Sequence, residues 1–129
     1  MNVQADLKYT KDHEWIRLEG KQGTIGITDH AQEELGDIVY VELPAVGQQI
    51  QKSKSLGVVE SVKAVSEILA PVNGKVVEVN SALNGKPEQI NQDPYGKAWM
   101  VKMEVANPSD LDDLMNVEDY KKYVQEEKA

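Results

Sequence analysis

Residues 56–70 read LGVVESVKAVSEILA, and this stretch decides the fold prediction. Two runs rich in valine and other aliphatic residues, 56–62 and 65–70, flank the dipeptide Lys63-Ala64. Short runs of this composition predict β-strands, and two runs separated by two residues predict a hairpin. The sequence therefore places Lys63 at the tip of a hairpin, with its ammonium group in solvent.

Further short strands are predicted on both sides of this hairpin. They lie where aliphatic residues alternate between turn signals, at 13–19, 22–27, 37–43, 75–79 and 99–105. Within 37–43, the alternation predicts that Val39, Val41 and Leu43 share one face of a strand. Between the second and third of these runs, Thr28 and Gly36 are predicted to be the N-cap and the left-handed exit of a short helix.

The last part of the chain predicts helices. Residues 80–96 are rich in Asn, Gly and Pro and predict an ordered loop with one helical turn. Asn107-Pro108 predicts the start of a helix, and Asn116 the start of a second one. The residues expected to be buried on these two helices are Leu111, Leu114 and Met115 on the first and Tyr120, Tyr123 and Val124 on the second.

Together these elements predict one domain over residues 1–129, mainly β (α+β), with short surface helices. Six or seven short strands followed by helices are typical of a small barrel-like β domain. Its core is expected at about residues 7–105 and its C-terminal helices at about 108–126.

Composition narrows the classes of function. The net charge of −8 disfavours nucleic acids and anionic membranes as partners, because both attract positive surfaces. The absence of cysteine excludes disulfides, thiolate metal sites and a cysteine nucleophile. No apolar run approaches the ~20 residues that span a bilayer, and the first residues show no targeting pattern. We expect a cytoplasmic monomer, although a mature chain of the mitochondrial matrix would look similar.

Candidate chemistry is sparse apart from Lys63. An exposed lysine is usually no more than a solvated charge, but uncharged neighbours at the tip would leave its amine accessible to another enzyme. His13 and His30 lack the spacing of a metal pair, so no metal site is predicted, and His30 is expected to be a surface or packing residue. No GxSxG elbow, HExxH motif or phosphate-binding glycine loop is present. The sequence therefore predicts no catalytic residue.

Several blocks resemble the glycine cleavage system H-protein family. Residues 57–64, GVVESVKA, closely resemble its lipoyl-attachment hairpin. Further blocks follow the family in the right order: YTKDHEW at 9–15, GITDHAQEELGDIVYVELP at 26–44, APVNG at 70–74 and NQDPYGKAW at 91–99. The resemblance covers nearly the whole chain, and it implies a lipoyl/biotinyl-type barrel-sandwich hybrid.

The resemblance implies a carrier and not an enzyme. Lys63 would form an amide with lipoic acid, added by a lipoate ligase or lipoyltransferase that recognises the tip residues Glu60, Ser61, Val62 and Ala64. The lipoyl arm would carry an aminomethyl group from glycine decarboxylase (P protein) to aminomethyltransferase (T protein). Dihydrolipoamide dehydrogenase would then reoxidise the arm. The chemistry belongs to the cofactor and the partners.

The resemblance also implies a cleft for the loaded arm. By alignment, its acidic residues would be Asp12, Glu14 and Glu67, which could pair with the protonated amine. Some relatives have Ser in place of Asp12 and His in place of Glu34. Ordinary surface charge is the alternative interpretation of these acids.

Other classes remain open on the sequence. Biotinyl domains usually carry Met-Lys-Met at the tip and oxoacid dehydrogenase lipoyl domains Asp-Lys-Ala, whereas this tip is Val62-Lys63-Ala64. An H-like protein that relays lipoate to other enzymes would have the same sequence features. An unmodified β-barrel interaction module and a hydrolase have no motif in their favour.

Overall fold

The computed structural model describes residues 3–128 of the chain, and side chains up to residue 127. Within this range the chain forms two antiparallel sheets and short helices. The strands are β1 (Lys8–Tyr9), β2 (Glu14–Glu19), β3 (Gln22–Ile27), β4 (Ile38–Glu42), β5 (Gln49–Ile50), β6 (Ser55–Ser61), β7 (Val65–Leu69), β8 (Gly74–Val79) and β9 (Val101–Val105). One sheet has the order β1-β2-β3-β9-β8-β5 and the other β4-β6-β7.

The two sheets share one hydrophobic core. Ile25 and Met103 from the larger sheet lie in the same buried cluster as Val59 and Ile68 from the smaller one. Each such side chain contributes about 1.5–3 kcal/mol when it leaves water. The arrangement is a sandwich, and the strand pairing among the described residues does not close into a barrel. The predicted mainly β fold is confirmed, in the sandwich form.

Helices cover the sandwich as the sequence predicts. Helix α1 (Asp29–Leu35) begins after Thr28, whose hydroxyl accepts a hydrogen bond from the Ala31 N–H, and ends at Gly36 with φ of 81°. Two short helices, α2 (Ala82–Gly85) and α3 (Gln89–Gln92), replace the single helical turn predicted in the loop. The segment after Asn107 is a 3-10 helix, Pro108–Asp113. No helix among residues 3–128 is long and apolar enough to cross a bilayer.

Helix α4 (Val117–Lys128) packs through an aromatic cluster. The Tyr120 ring stacks on the Tyr9 ring at 4.4 Å between centroids, and Val124 is also buried. The Trp15 indole N–H donates to the carbonyl of Pro94 at 3.1 Å. The predicted stripe on this helix is confirmed for Tyr120 and Val124. The cluster ties the C-terminal helix to β1 and β2.

The predicted face of β4 is wrong at one residue. Val39 is 53% exposed, whereas Val41 is buried. The register against β6 shifts between Ile38 and Tyr40, as a β-bulge does. Because a bulge adds one residue to the strand, the alternation of faces is interrupted there. Strict period-two alternation cannot anticipate this shift.

Candidate functional site

The tip of the β6–β7 hairpin is a tight turn over residues 61–64. The last paired residues are Glu60 and Val65. The Ser61 N–H donates to the Ala64 carbonyl at 2.8 Å. The Ser61 hydroxyl oxygen accepts from the amides of Lys63 at 3.2 Å and Ala64 at 3.0 Å. Ser61 therefore fixes the backbone on which Lys63 stands, as serine does in many turns.

A second layer of hydrogen bonds supports this turn from below. The Val62 N–H donates to the Asp37 carbonyl at 3.0 Å. Asn91 forms hydrogen bonds with the residues on both sides of Asp37. The Asn91 side chain accepts from the Ile38 N–H at 2.9 Å and donates to the Gly36 carbonyl at 2.8 Å. Asn91 therefore positions the segment on which the tip rests, although it lies far from Lys63 in the sequence.

The Lys63 side chain is exposed and its amine is accessible. The Lys63 ammonium makes no ion pair or hydrogen bond with the residues that the structure describes. Its Cε lies 3.6 Å from where a Cβ would stand on Gly36, so the aliphatic stem passes beside the end of α1. A rigid backbone and an unengaged amine together suit chemical modification by another enzyme.

Exposed apolar side chains lie at the tip of the hairpin and on the neighbouring strand β4. Val62 is 70% exposed and Val65 is 67% exposed. Tyr40 is also exposed, and it lies next to Glu60 across the sheet. Scattered exposed apolar residues need no explanation, but these lie around one projecting lysine. They offer a contact surface at the tip.

A cleft of about 540 Å³ opens beside α1. Its walls come from α1, the turn before β2, β7 and the end of α4. The lining residues are Asp12, His13, His30, Ala31, Glu34, Leu35, Ser66 and Glu127. We call this space the α1 cleft. The stem of Lys63 runs past the C-terminal end of the same helix.

Three of these residues converge at one end of the α1 cleft. The imidazole rings of His13 and His30 lie 4.5 Å apart between centroids. His13 Nε2 lies 3.0 Å from Glu127 Oε1, and His13 Nδ1 lies 2.8 Å from the Tyr120 hydroxyl. Burial lowers the pKa of His13, against the opposing effect of the Glu127 carboxylate. This convergence could not be predicted from local sequence patterns, because three distant segments supply the residues.

Glu14 is buried inside the structure, with 1% of its surface exposed. One carboxyl oxygen accepts from the Thr10 hydroxyl and the other from the Leu69 N–H at 3.2 Å. Burial raises the pKa of Glu14 to about 7, because the charged form loses its hydration. Glu14 lines a second cavity, of about 340 Å³, that also includes Asp12.

The acidic residues that were expected around the lipoyl arm do not all line the same cavity. Asp12 is exposed and lines both cavities. Glu14 lines only the second cavity, and Glu67 is exposed on β7 and lines neither. Glu34, on α1, lines the α1 cleft. The structure brings Asp12 and Glu14 to one cavity, and it leaves Glu67 outside both.

The chemistry available here is that of an attachment point. The amine stands at a fixed position in solvent, and a cleft with acidic residues on its rim lies nearby. The sandwich beneath it supplies rigidity. A β-sandwich that presents a lysine at a hairpin tip agrees with the lipoyl/biotinyl-type carrier domain that the sequence blocks imply.

The comparisons with known proteins specify the family. Residues 7–127 match the sequence profile described as Glycine cleavage H-protein, so the chain belongs to that family. It is 56% identical over 125 residues to the glycine cleavage system H protein of Carboxydothermus hydrogenoformans, covering 97% of this chain and 96% of the relative. It is 58% identical over 127 residues to that of Koribacter versatilis, covering 98% of each.

A solved structure agrees. The crystal structure of a glycine cleavage system H protein from Mycobacterium marinum superimposes with a TM-score of 0.86 at 36% identity, covering 98% of this chain and 100% of that one. The chain is therefore a carrier protein of the glycine cleavage system and not a catalyst. The resemblance drawn from the sequence blocks is confirmed.

Proposed function

We propose that Lys63 carries a lipoyl group in amide linkage and that this arm serves glycine cleavage. The observation that carries the proposal is the unengaged amine of Lys63 on a turn fixed by Ser61. Membership in the H-protein family supports lipoate as the attached cofactor. The residues at the tip fit such a group, because an amide-linked chain would extend from the exposed side chain of Lys63.

The tip residues have distinct roles in attachment. The Lys63 amine attacks the activated carboxyl carbon of lipoic acid, and an amide bond forms as the activating group leaves and the nitrogen loses a proton. Ser61 keeps the turn in one conformation during this step, which lowers the entropy lost on docking. Val62 and Ala64 are exposed and Glu60 is half-buried. These three would be the contacts that a lipoate ligase or lipoyltransferase reads.

The α1 cleft is the proposed resting place of the arm. When bound, the lipoyl group would supply a dithiolane that can hold the aminomethyl group left when glycine loses carbon dioxide, and dihydrolipoamide dehydrogenase would be the oxidant that restores the disulfide. Asp12 and Glu34 on the rim give the cleft a negative character that suits a protonated amine. Glu14 and Glu67 belong to the proposal as further acids near the arm, although neither lines this cleft.

The partners follow from the same proposal. They are the P protein, the T protein, dihydrolipoamide dehydrogenase and the lipoylating enzyme. The exposed apolar side chains around the tip, Val62 and Val65 among them, are the surface that each partner would contact when it takes up the arm. A cytoplasmic location and a monomeric state also belong to the proposal.

Reconstitution tests the proposed role. Lipoylated protein is incubated with P protein, glycine and labelled bicarbonate, and label exchange into the glycine carboxyl is measured. T protein and tetrahydrofolate are then added, and the folate product and ammonia are measured. We expect both activities to depend on the lipoylated chain. Lipoylation without exchange, together with transfer of lipoate to other enzymes, would replace glycine cleavage by a lipoate relay role.

A further inference from the structure

His30 is a buried histidine whose ring nitrogens make no hydrogen bond to residues that the structure describes. The side chain is 3% exposed, and its Nδ1 has no partner among the described residues. Its Nε2 faces two carboxylates, Glu127 Oε1 at 3.6 Å and Glu34 Oε1 at 3.7 Å, both beyond hydrogen-bonding distance. Buried polar groups in proteins are nearly always paired, and of the two ring nitrogens it is Nε2, beside the two carboxylates, that is placed to bind an ion.

The atoms around His30 form a set of metal ligands. One ligand atom each from His13, His30 and Glu127 lies within 4.8 Å of the other two. In a tetrahedral zinc site with bonds of about 2.0–2.1 Å, ligand atoms stand about 3.3 Å apart. The observed separations from Glu127 Oε1 are 3.0 Å to His13 and 3.6 Å to His30. Both separations lie within about 0.3 Å of that spacing.

We propose that His13, His30 and Glu127 form a binding site for a divalent transition metal of the zinc type. Two imidazoles and one carboxylate are a donor set that zinc takes in proteins. Glu34 stands four residues after His30 on the same face of α1 and can supply a fourth oxygen. Otherwise the fourth position faces the α1 cleft and admits water. The site lies outside the attachment turn but inside the α1 cleft, so a bound ion would share this cleft, and Glu34, with the proposed lipoyl arm.

The surroundings of His13 support the ligand role. Its Nδ1 lies 2.8 Å from the Tyr120 hydroxyl, which in turn lies 2.7 Å from the hydroxyl of Thr28. A zinc-binding histidine usually has its other nitrogen held in this way, which fixes the tautomer and the ring orientation. His13 itself has a φ of 67°, a left-handed backbone conformation that residues other than glycine adopt at a cost in free energy. The backbone thus holds this imidazole toward the cluster.

The donor set also indicates which ions bind. Calcium and magnesium take oxygen ligands, whereas imidazole favours zinc, cobalt, nickel and copper. An acidic protein attracts any divalent cation weakly at its surface carboxylates. Dependence on the two histidines therefore separates the proposed site from unspecific binding. A bound ion would link the end of α4 to α1 and to the turn before β2.

Metal titration of the full chain tests the proposal. The protein is prepared without an affinity tag, unlipoylated, and freed of metal with a chelator that is then removed. Zinc binding is measured by calorimetry, and cobalt binding by visible absorption, which reports nitrogen and oxygen ligands around the ion. We expect one equivalent bound, and a thermal unfolding midpoint that rises with zinc concentration because the ion binds the folded chain. Magnesium is expected to produce neither effect.

Variants locate the ion. Glu127→Gln changes an exposed side chain and is expected to weaken zinc binding at least about tenfold. His13→Asn removes an imidazole ligand and is expected to weaken zinc binding to the same extent. This variant should still fold, because asparagine tolerates the left-handed backbone conformation. Glu126→Gln is the matched control: it removes the same charge from the same helix and should leave zinc affinity unchanged. Circular dichroism confirms that each variant is folded.

Two results would overturn the proposal. One is zinc binding by wild type that is no tighter than binding by His13→Asn or Glu127→Gln. The other is an equal response to zinc and magnesium, which would leave His13 and Glu127 as an ion pair that anchors α4. Because the protein is unlipoylated, neither result depends on the proposed carrier function.

Discussion

Glu14 is expected to make the stability of this protein fall as the pH rises through neutrality. The carboxyl group is buried, and its pKa is raised from the ordinary value of 4.5 to about 7. Between these two pH values the folded chain keeps a proton that the unfolded chain has lost. The contribution is therefore fully present below pH 4.5 and is lost as the pH rises through about 7.

The size of the effect follows from the two pKa values. Each pH unit between them corresponds to about 1.4 kcal/mol. Between pH 5 and pH 8, the ionisation of Glu14 should lower the free energy of unfolding by roughly 2 to 3 kcal/mol in total. That is a large part of the ~5–15 kcal/mol that stabilises an ordinary domain.

Glu14→Gln isolates this contribution, because the amide does not titrate. The amide cannot reproduce both hydrogen bonds of the carboxyl group, so a constant offset in stability is expected at every pH. The test is the change of the offset with pH: between pH 5 and pH 8 it should move by roughly 2 to 3 kcal/mol in favour of the variant. Urea unfolding followed by tryptophan fluorescence, with chelator present, measures it.

Glu67→Gln is the matched control for this prediction. It removes a carboxylate from an exposed position on β7, and its offset from wild type should stay constant across the same pH range. An offset of Glu14→Gln that does not change between pH 5 and pH 8 would refute the reasoning. Such a result would mean that water reaches the Glu14 carboxyl group freely.

Three further predictions concern the tip, its support and the packing of the aromatic cluster. Ser61→Ala removes the hydroxyl that accepts hydrogen bonds from two backbone amides in the turn. We expect faster hydrogen exchange at those amides and slower lipoylation of Lys63. Unchanged hydrogen exchange would contradict the role of Ser61. Asn91→Ala removes three hydrogen bonds. It should lower the free energy of unfolding, measured in urea, by about 3 kcal/mol. A loss below about 1 kcal/mol would show that water replaces these hydrogen bonds. Gly26→Ala places a Cβ 2.8 Å from the buried Trp15 ring and should cost about 1–3 kcal/mol; an unchanged melting temperature would show that the ring can shift.

The hairpin and helix α1 could be predicted because their signals are local. The dipeptide Lys63-Ala64 interrupts two aliphatic runs and so marks the tip, and the structure places strands on both sides of it. Thr28 and Gly36 mark the ends of α1 by capping chemistry that acts within one turn. Such features depend on neighbouring residues, so one sequence is enough to identify them.

Other features depend on contacts between distant segments. Strands β1 and β5 have two residues each and exist only because they pair with β2 and β8. The segment after Asn107 winds as a 3-10 helix and not as an α-helix. A capping signal identifies the start of a helix but does not decide its hydrogen-bond spacing.

The candidate site divides in the same way. The position of Lys63 at the hairpin tip could be predicted from the sequence, since the whole turn lies in one short segment. The burial of Glu14 could not, because Thr10 and Leu69 enclose it only in the folded chain. The meeting of His13 with Glu127 joins the two ends of the chain. No local pattern carries that information.

The most direct test of the central claim is intact-protein mass spectrometry after expression with lipoate and a lipoate ligase, followed by peptide mapping. We predict a single lipoyl adduct on Lys63, absent from Lys63→Arg and retained in Lys75→Arg, a control at another exposed lysine. Arginine keeps the positive charge but cannot form the amide. A lipoyl adduct on another lysine, a biotin adduct, or no adduct on folded wild-type protein would contradict the account.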